Sequence, residues 1–369
     1  MLIAELLSQT AIESIKDLIN SVSRPAPFFL GSFVLLGIAL SAYRWLTKPK
    51  VAATVAGLAV LFFVLSCFDS NFRLIVTKPD NVPIVMMLGL VGFLMWVAFR
   101  QAAINDQNME DGKPLIEAGS DDRVLVWPDL VYSELIALIL CSALLLVWAI
   151  VLRAPVEQPA DPNVAPNPAK APWYFLGLQE LLVYFDPWIA GVLLPGLIVM
   201  GLICVPYMDK NPRGNGYYTF KERPFAVSMF ILGFMMLWVL LIVFGTFLRG
   251  PNWNFFGPYE FWDHNRPAAL LNTEARDLFW VRLLGRPAPE HWLMREAPGL
   301  ILVGGYFSML PVVLAKTFFR RIYRQIGFVR FVILIQLFLW MLFVPIKMVL
   351  RWTLNLHYIV GITELPFNI

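Results

Sequence analysis

The sequence predicts an all-α fold, a polytopic transmembrane helical bundle of about eight spans with short surface helices, and three observations predict it. Hydrophobic residues make up 59% of the 369 residues, while charged residues make up 15%, against about 25% in a soluble domain. The mean hydropathy of the chain is +0.67. Eight stretches approach the roughly 20 apolar residues that a helix needs to cross a bilayer.

The predicted spans are apolar runs separated by charged or proline-rich loops. They are Phe28–Leu46, Val51–Phe68, Pro83–Phe99, Leu130–Val151, Trp188–Pro206, Phe225–Leu248, Pro298–Ala315 and Phe331–Val349. Residues 1–20 precede them and place apolar side chains at helical spacing among charged ones such as Glu13 and Lys16. We therefore expect an amphipathic helix that lies on the membrane surface rather than a cleaved signal peptide.

Lysines and arginines are concentrated in the loops after the first, third, fifth and seventh spans, for example Lys48, Arg100, Lys210 and Arg320. Positive residues in short loops mark the cytoplasmic side of a membrane protein. The termini and the remaining loops are therefore predicted on the outer side. One of these outer loops is residues 153–187. Its repeated prolines should keep the first part extended, and Trp173–Phe185 should then form a short amphipathic helix along the outer surface.

The sequence contains no pattern of residues typical of metal or haem ligands. The three histidines all lie outside the predicted spans, at His264, His291 and His357. Two b haems held by paired histidines would need four such ligands on facing helices, so we expect no haem ligand here and three solvated histidines. The cysteines also lack metal or haem spacing and are expected as buried, small apolar side chains: Cys67, Cys141 and Cys204. The net charge of +3, without a basic run, gives no indication of nucleic-acid binding.

A series of short motifs occurs in order between residues 127 and 247. They are Trp127-Pro128-Asp129, Pro159-Ala160-Asp161-Pro162, Ala171-Pro172-Trp173-Tyr174, Gly191-Val192-Leu193-Leu194, Asn211-Pro212 and Arg223-Pro224-Phe225-Ala226. As an ordered set they resemble the C-terminal half of cytochrome b, the part that stands alone as subunit IV of the cytochrome b6f complex. The resemblance covers about a third of the chain.

The resemblance implies a quinol oxidation site on the outer, positive side, around the family's Pro-Glu-Trp-Tyr motif. It implies quinone binding by four consecutive residues: Pro172, Trp173, Tyr174 and Phe175. In the family the motif's glutamate is thought to take a proton from the quinol, but Pro172 stands at its position and has no proton to move. Glu180 and Asp186 are the nearby candidates for this proton acceptor, and the alternative is that both are interfacial polar residues.

The predicted function is that of a subunit of a bc-type quinol–cytochrome c oxidoreductase, not catalytic alone, with quinone or quinol at a subunit interface. Haem b and an iron–sulfur cluster are expected on partners, which are a haem-bearing cytochrome b N-terminal subunit, a Rieske-type iron–sulfur protein and a c-type cytochrome. The complex is expected to be dimeric and to lie, in contact with membrane lipid, in an energy-transducing bacterial cytoplasmic membrane.

Three segments are predicted to organise the chain. Residues 1–126 hold the surface helix and three unassigned spans, residues 127–250 the cytochrome b C-terminal-like domain, and residues 251–369 an outer loop and two more spans. One alternative is a non-catalytic membrane anchor or assembly subunit of another respiratory complex. A transporter is a weaker alternative, because the spans lack paired intramembrane charges and obvious inverted repeats.

Overall fold

The computed structural model describes residues 2–119, 124–151, 159, 161–163, 165–210, 216–267, 271–362, 364 and 367–369, with side chains from residue 10 onward. The fold is the predicted all-α polytopic bundle, and 72% of it is helical. Its helices are α1 Leu2–Val22, α2 Pro25–Ser41, α3 Tyr43–Leu46, α4 Pro49–Ser66, α5 Ser70–Val76, α6 Val82–Glu110, α7 Val126–Val151, α8 Leu176–Leu181, α9 Ile189–Met208, α10 Pro224–Leu248, α11 Asp277–Leu283, α12 Trp292–Arg295, α13 Ala297–Lys316, α14 Arg320–Ile326 and α15 Phe328–Leu354. Strands β1 Gly361–Ile362 and β2 Phe367–Asn368 pair antiparallel.

Seven helices of the described part are long and apolar enough to cross a membrane, namely α4, α6, α7, α9, α10, α13 and α15. The count rises to eight if α2, with 17 residues, forms one bent span with Thr10–Val22. The first predicted span differs in that the helix breaks after Ser41 and restarts as α3. The third continues for three more turns to Glu110, because its polar end is itself packed in protein.

Helix α1 has the geometry that an interfacial helix needs. It meets α2 at an angle of 80°. Its exposed apolar side chains follow helical spacing and are Ile12, Ile15, Leu18 and Val22. Near its end, Asn20 Oδ1 accepts a hydrogen bond from the backbone N–H of Tyr259 at 3.0 Å. The apolar stripe of α1 therefore faces away from the chain, as the predicted surface helix requires.

The chain divides into two compact units. Unit 1 comprises Met1–Gly37, Asn167–Gly214 and Ser228–Ile369, and unit 2 comprises Ile38–Pro166 and Asn215–Val227. The organisation into residues 1–126, 127–250 and 251–369 stays a prediction.

Helices α10 and α15 are the two best-buried of the candidate spans, and α15 lies in unit 1. Its inward side chains recur every four residues and are Phe331, Ile335, Leu339 and Phe343. Helix α13 packs beside it, where Tyr306 donates to the carbonyl of Leu339 at 2.8 Å and Gln336 donates to the carbonyl of Phe307 at 2.7 Å. Hydrogen bonds of this kind hold neighbouring membrane helices together where the hydrophobic effect cannot.

Residues 355–362 and 367–369 form a largely buried strap in unit 1. The backbone N–H of His357 donates to Thr273 at 2.8 Å, and the N–H of Gly361 donates to the buried carboxylate of Glu296 at 3.1 Å. The fully buried ammonium of Lys347 donates to the carbonyl of His357 at 2.7 Å. Polar groups that leave the solvent need such partners, so the strap and the spans beneath it are folded as one unit.

Gly299 of α13 lies directly against the strap. A Cβ at this position would overlap the carbonyl group of Ile359, whereas one at Gly304 of the same helix would meet nothing within 4 Å. We expect Gly299→Ala to destabilise unit 1 by about 1–3 kcal/mol and to expose the strap to protease. Gly304→Ala is the matched control. Equal melting temperatures and cleavage rates for the two variants would contradict the observed packing.

In unit 2, the polar end of α6 organises the surrounding loops. Asp106 is fully buried and accepts four hydrogen bonds, from the Tyr43 hydroxyl at 2.7 Å, the Thr219 hydroxyl at 2.5 Å and the backbone N–H groups of Phe220 and Lys221, both at 3.1 Å. A buried carboxylate is tolerated only with this degree of satisfaction. Asp106 therefore fixes α3 and residues 219–221 on α6.

Its neighbour Asn105 is also fully buried and ties a second pair of segments. Its amide donates to Glu117 at 2.7 Å and to the carbonyl of Tyr218 at 3.0 Å, and its oxygen accepts from the N–H of Ile116 at 3.0 Å. These contacts use both donors of the side-chain amide and one of the two acceptor positions on its oxygen. The sequence reading missed both residues because it ended this span at Phe99.

Helix α7 differs from α6 in that none of its residues is buried by the rest of the chain. Cys141 on α7 is exposed and Cys67 and Cys204 are half-buried, so the expectation of three buried cysteines is wrong. The reason is that an apolar run in a membrane protein can face lipid instead of protein. Glu134 is likewise exposed on the first part of the helix.

Candidate functional site

The predicted quinone-binding residues form one structural feature in unit 1. Pro172 opens a 3-10 turn, Trp173–Phe175, in which the N–H of Phe175 donates to the carbonyl of Pro172 at 2.8 Å. The ring centroids of Trp173 and Tyr174 lie 5.6 Å apart, and those of Tyr174 and Phe175 lie 4.7 Å apart. Tyr174 is 48% exposed and Phe175 is 50% exposed. We call these three contiguous rings the aromatic face.

The turn leads directly into α8, which packs closely on α10. A Cβ at Gly245 would lie 3.1 Å from the carbonyl oxygen of Leu176, and one at Gly177 would lie 3.4 Å from the carbonyl oxygen of Trp238. The two glycines therefore let the backbones approach. The predicted helix over residues 173–185 is thus present but ends at Leu181.

Gln179 fixes the chain just before the aromatic face. Its oxygen accepts from the N–H of Ala171 at 2.8 Å, and its amide donates to the carbonyl of Ala169 at 2.8 Å. The side chain thus binds an extended segment in the way that a neighbouring strand would. Because α8 carries Gln179, the proline-rich segment and the helix hold the aromatic face from both sides.

Glu180 lies in a buried ionic network with Arg249 and Tyr184. Arg249 donates to Glu180 from Nε at 3.0 Å and from Nη2 at 2.7 Å, and the Tyr184 hydroxyl donates to Oε1 at 2.7 Å. The three residues are 0%, 6% and 2% exposed, in the order Glu180, Arg249 and Tyr184. Bidentate arginine–carboxylate pairs of this kind are geometrically specific as well as strong.

The charges of this network reinforce one another. Burial lowers the pKa of Arg249, but the charges of Glu180 and Tyr184 and the hydrogen bonds to both together more than offset it, so that the pKa of Arg249 stays above its usual value. Burial and the same carboxylate raise the pKa of Tyr184 well above its usual value. Arg249 is therefore a permanent cation, and Tyr184 a permanent hydrogen-bond donor, at physiological pH.

Arg249 also organises the turn that follows α10. It donates to the carbonyl of Trp253, and its guanidinium lies 3.7 Å from the centroid of the Phe255 ring. Asn252 has a φ of 55° in this turn, a conformation that asparagine tolerates better than most residues. Its N–H donates to the side chain of Asn167 at 2.7 Å, which joins the turn to the proline-rich loop.

Lys170 adds a further tie between the same two segments. Its ammonium donates to the carbonyl of Thr246 at 2.8 Å and lies 4.8 Å from the ring centroid of Trp262. Three buried donor groups in this region have no hydrogen-bond acceptor among the described residues: Thr246 Oγ1, Trp253 Nε1 and Trp262 Nε1.

Asp186 belongs to a different network from Glu180. It is half-buried and accepts from the Asn368 side chain at 3.1 Å and from the N–H of Trp188 at 3.4 Å. The Tyr358 hydroxyl also bonds it, and the pKa of Tyr358 is raised by burial and by the charge of Asp186. Asp186 therefore connects the start of α9 to the strap through Asn368 and Tyr358.

The histidines differ from one another. His264 is exposed, as expected, and exposed His291 caps α12 by accepting the N–H of Leu293 on Nδ1 at 3.3 Å. His357 is half-buried rather than solvated, because its backbone belongs to the strap. Burial and the positive charges of Arg351 and Lys347 lower its pKa. Within the described ranges, no group of three or more His, Cys, Asp or Glu side chains could hold a metal ion.

Sequence reasoning located the aromatic face and Glu180 but missed Arg249 and Tyr184. Arg249 follows an apolar span, where an arginine ordinarily marks the end of the membrane. A buried glutamate is rare without a cation, so Glu180 on the inner face of a short helix was the available signal.

The aromatic face and its supporting residues lie in a part of the chain that matches a known protein family. Residues 159–259 match the protein family described as cytochrome b (C-terminal)/b6/petD. The match includes the aromatic face, α8, α9, α10 and Arg249, and confirms the resemblance seen in the sequence motifs. It covers roughly a quarter of the chain and leaves α1–α7 and α11–α15 outside. No solved structure matches the chain.

Proposed function

Because residues 159–259 form a cytochrome b C-terminal-type domain, we propose that this multi-pass membrane protein is a subunit of a bc-type quinol–cytochrome c oxidoreductase and forms one wall of its outer quinol oxidation site. The family indicates the bc-type complex, and the aromatic face is the observation that carries the quinol site. Three adjoining rings stand half-exposed at the place of the family's Pro-Glu-Trp-Tyr motif.

The physical character of the aromatic face suits a quinol. Binding sites for small molecules are mostly apolar with a few fixed polar groups. Flat rings such as Trp173 and Phe175 can stack on a quinol ring, and the Tyr174 hydroxyl can hydrogen-bond one of its oxygens. Gln179 on one side and the Glu180–Arg249 pair on the other hold these groups in place, which reduces the ordering entropy on binding.

Of the two predicted proton acceptors, Asp186 is the better candidate. Both oxygens of Glu180 already accept hydrogen bonds from Arg249 or Tyr184, and the side chain is fully buried, so a quinol hydroxyl cannot reach it without breaking this network. Asp186 is half-buried and accepts only from neutral donors among its described partners. Glu180 is then a positioning residue that holds Arg249 and the turn after α10.

The b haems are proposed to lie on a haem-bearing cytochrome b N-terminal subunit, with which the family associates. A Rieske-type iron–sulfur protein and a c-type cytochrome would carry the electrons onward, in a dimeric complex of a bacterial energy-transducing membrane. The alternative of a non-catalytic anchor is favoured by one observation, that Pro172 stands where the family has its glutamate. The two proposals differ in whether the aromatic face affects turnover.

Tyr174→Ala tests this difference. Removal of the central ring of the aromatic face is expected to slow quinol oxidation by the intact complex about tenfold, through contacts made to the reacting quinol. Quinol-dependent cytochrome reduction is the measurement, with subunit composition checked in parallel. Tyr207→Ala, at an exposed tyrosine near the end of α9, is the matched control. Equal turnover of the two variants in intact complexes would favour the anchor.

A further inference from the structure

A second site, outside the cytochrome b-type domain's aromatic face, lies in unit 2. We propose that Tyr43, Arg44, Trp45 and Lys221 form a binding site for the headgroup of an anionic phospholipid. The inference is independent of the proposed function, because it needs only the geometry of unit 2 and its place at the end of membrane spans.

The site is an open cavity of about 550 Å³. Its walls include the side chains of Tyr43, Arg44, Trp45, Glu110, Phe220 and Lys221. Apolar surface predominates, and the charged groups lie together on one part of it. A phosphodiester with its glycerol backbone has the same division, with an anionic group beside apolar carbon atoms.

Two cations share a single carboxylate in this cavity. Arg44 donates to Glu110 from Nη1 at 2.9 Å and from Nη2 at 2.8 Å, while Lys221 donates to Glu110 Oε1 at 2.8 Å. The cluster therefore carries a net positive charge. Arg44 also donates from Nε to the Tyr43 hydroxyl at 3.1 Å, so these contacts use three of its five N–H groups. Donors remain on both cations for a phosphate.

The cations are held in place before any ligand arrives. Asp106 binds the Tyr43 hydroxyl and the backbone N–H groups of Phe220 and Lys221, so that α3 and the Lys221 segment keep a fixed separation. The ring centroids of Phe220 and Tyr43 lie 4.9 Å apart, and both residues line the cavity. A prearranged pair of cations binds an anion with less loss of side-chain entropy than two mobile ones.

The position of the site, at the ends of membrane-spanning helices, favours a lipid over a soluble anion. Its rim is formed where α2 ends, at Ser41, and where α10 begins, at Pro224. Trp45 is 57% exposed there, as is typical of side chains at the headgroup level. Exposed Lys48 and Lys50 follow in the same segment, and charge counting places it on the cytoplasmic side, whose leaflet is rich in anionic lipids.

Lipid titration of the full chain in detergent, followed by native mass spectrometry, tests the site with phosphatidylglycerol as the probe and phosphatidylcholine as the neutral reference. Lys221→Gln should weaken phosphatidylglycerol binding about fivefold. Lys113→Gln, which removes an equal charge paired with Asp111 from a loop of unit 2, should leave it unchanged. Glu110→Gln should strengthen binding, because it removes the internal competitor for both cations.

These outcomes separate the site from a purely structural ion cluster, for which Glu110→Gln would loosen unit 2 and weaken every ligand. Equal affinities of the Lys221→Gln and Lys113→Gln variants would overturn the proposal, as would weaker binding to a folded Glu110→Gln variant. Displacement of the lipid by an equal concentration of inorganic phosphate would show a soluble-anion site instead. If Glu110→Gln does not fold, the comparison of the two lysine variants decides alone.

Discussion

Arg249→Ala is expected to destabilise the chain by about 3–5 kcal/mol, because it leaves the fully buried carboxylate of Glu180 without its cation. Thermal unfolding in detergent measures the effect. The pair joins residues 69 positions apart, so its loss should also release the turn after α10 from α8. Quinol turnover of any surviving complex should fall with it, since the aromatic face leads directly into α8.

Two further variants make this expectation specific. Arg266→Ala breaks an ion pair with Glu260 that is 45% exposed on both sides, and it should change stability by less than about 1 kcal/mol. Adding Glu180→Gln to Arg249→Ala removes the buried charge and should recover part of the lost stability. An Arg249→Ala variant that melts like Arg266→Ala would show that the pair is not buried as described.

Asp106→Ala is expected to have the second large effect, on the order of 3–5 kcal/mol. The substitution leaves the hydroxyls of Tyr43 and Thr219 and two backbone N–H groups without their acceptor. Each unsatisfied buried donor costs about 1–3 kcal/mol. Local relaxation of the structure keeps the net destabilisation below the sum of the four separate costs. Thermal unfolding and protease cleavage within residues 216–223 are the measurements.

Asp111→Ala is the matched control, at a carboxylate five residues further along. Its side chain is 36% exposed and its partner is the exposed Lys113, so a change below about 1 kcal/mol is expected. If Asp106→Ala and Asp111→Ala unfolded at the same temperature, the loops around α6 would not depend on the buried carboxylate.

The spans were predictable because a bilayer requires long apolar runs, and such runs can be recognised directly from the sequence. The end of α6 was not, because Asn105 and Asp106 look like solvent-facing residues unless the segments around Glu117 and Thr219 are known to cover them. The break after Ser41 was missed for a similar reason. No proline or glycine marks it, and the short helix α3 is held by the contact of Tyr43 with Asp106.

The candidate site divides in the same way. Trp173, Tyr174 and Phe175 could be found from an ordered set of short motifs, because the order of motifs along a chain can be read without a structure. The partner of Glu180 could not, because Arg249 is distant in sequence and arginines at the ends of spans are common. The proline at position 172 was visible at once, and the pairing of Glu180 with Arg249 turns attention to Asp186 as the proton acceptor.

We propose that this chain contributes a quinol-site wall to a bc-type complex whose b haems lie on another subunit. The most direct test is the reduced-minus-oxidised visible spectrum of the complex isolated through a tag on this chain, with quinol as the reductant, compared with that of the separated chain. We predict a haem b signal from the complex and none from the separated chain. A haem b signal retained by the separated chain, or absent from the complex, would contradict the account.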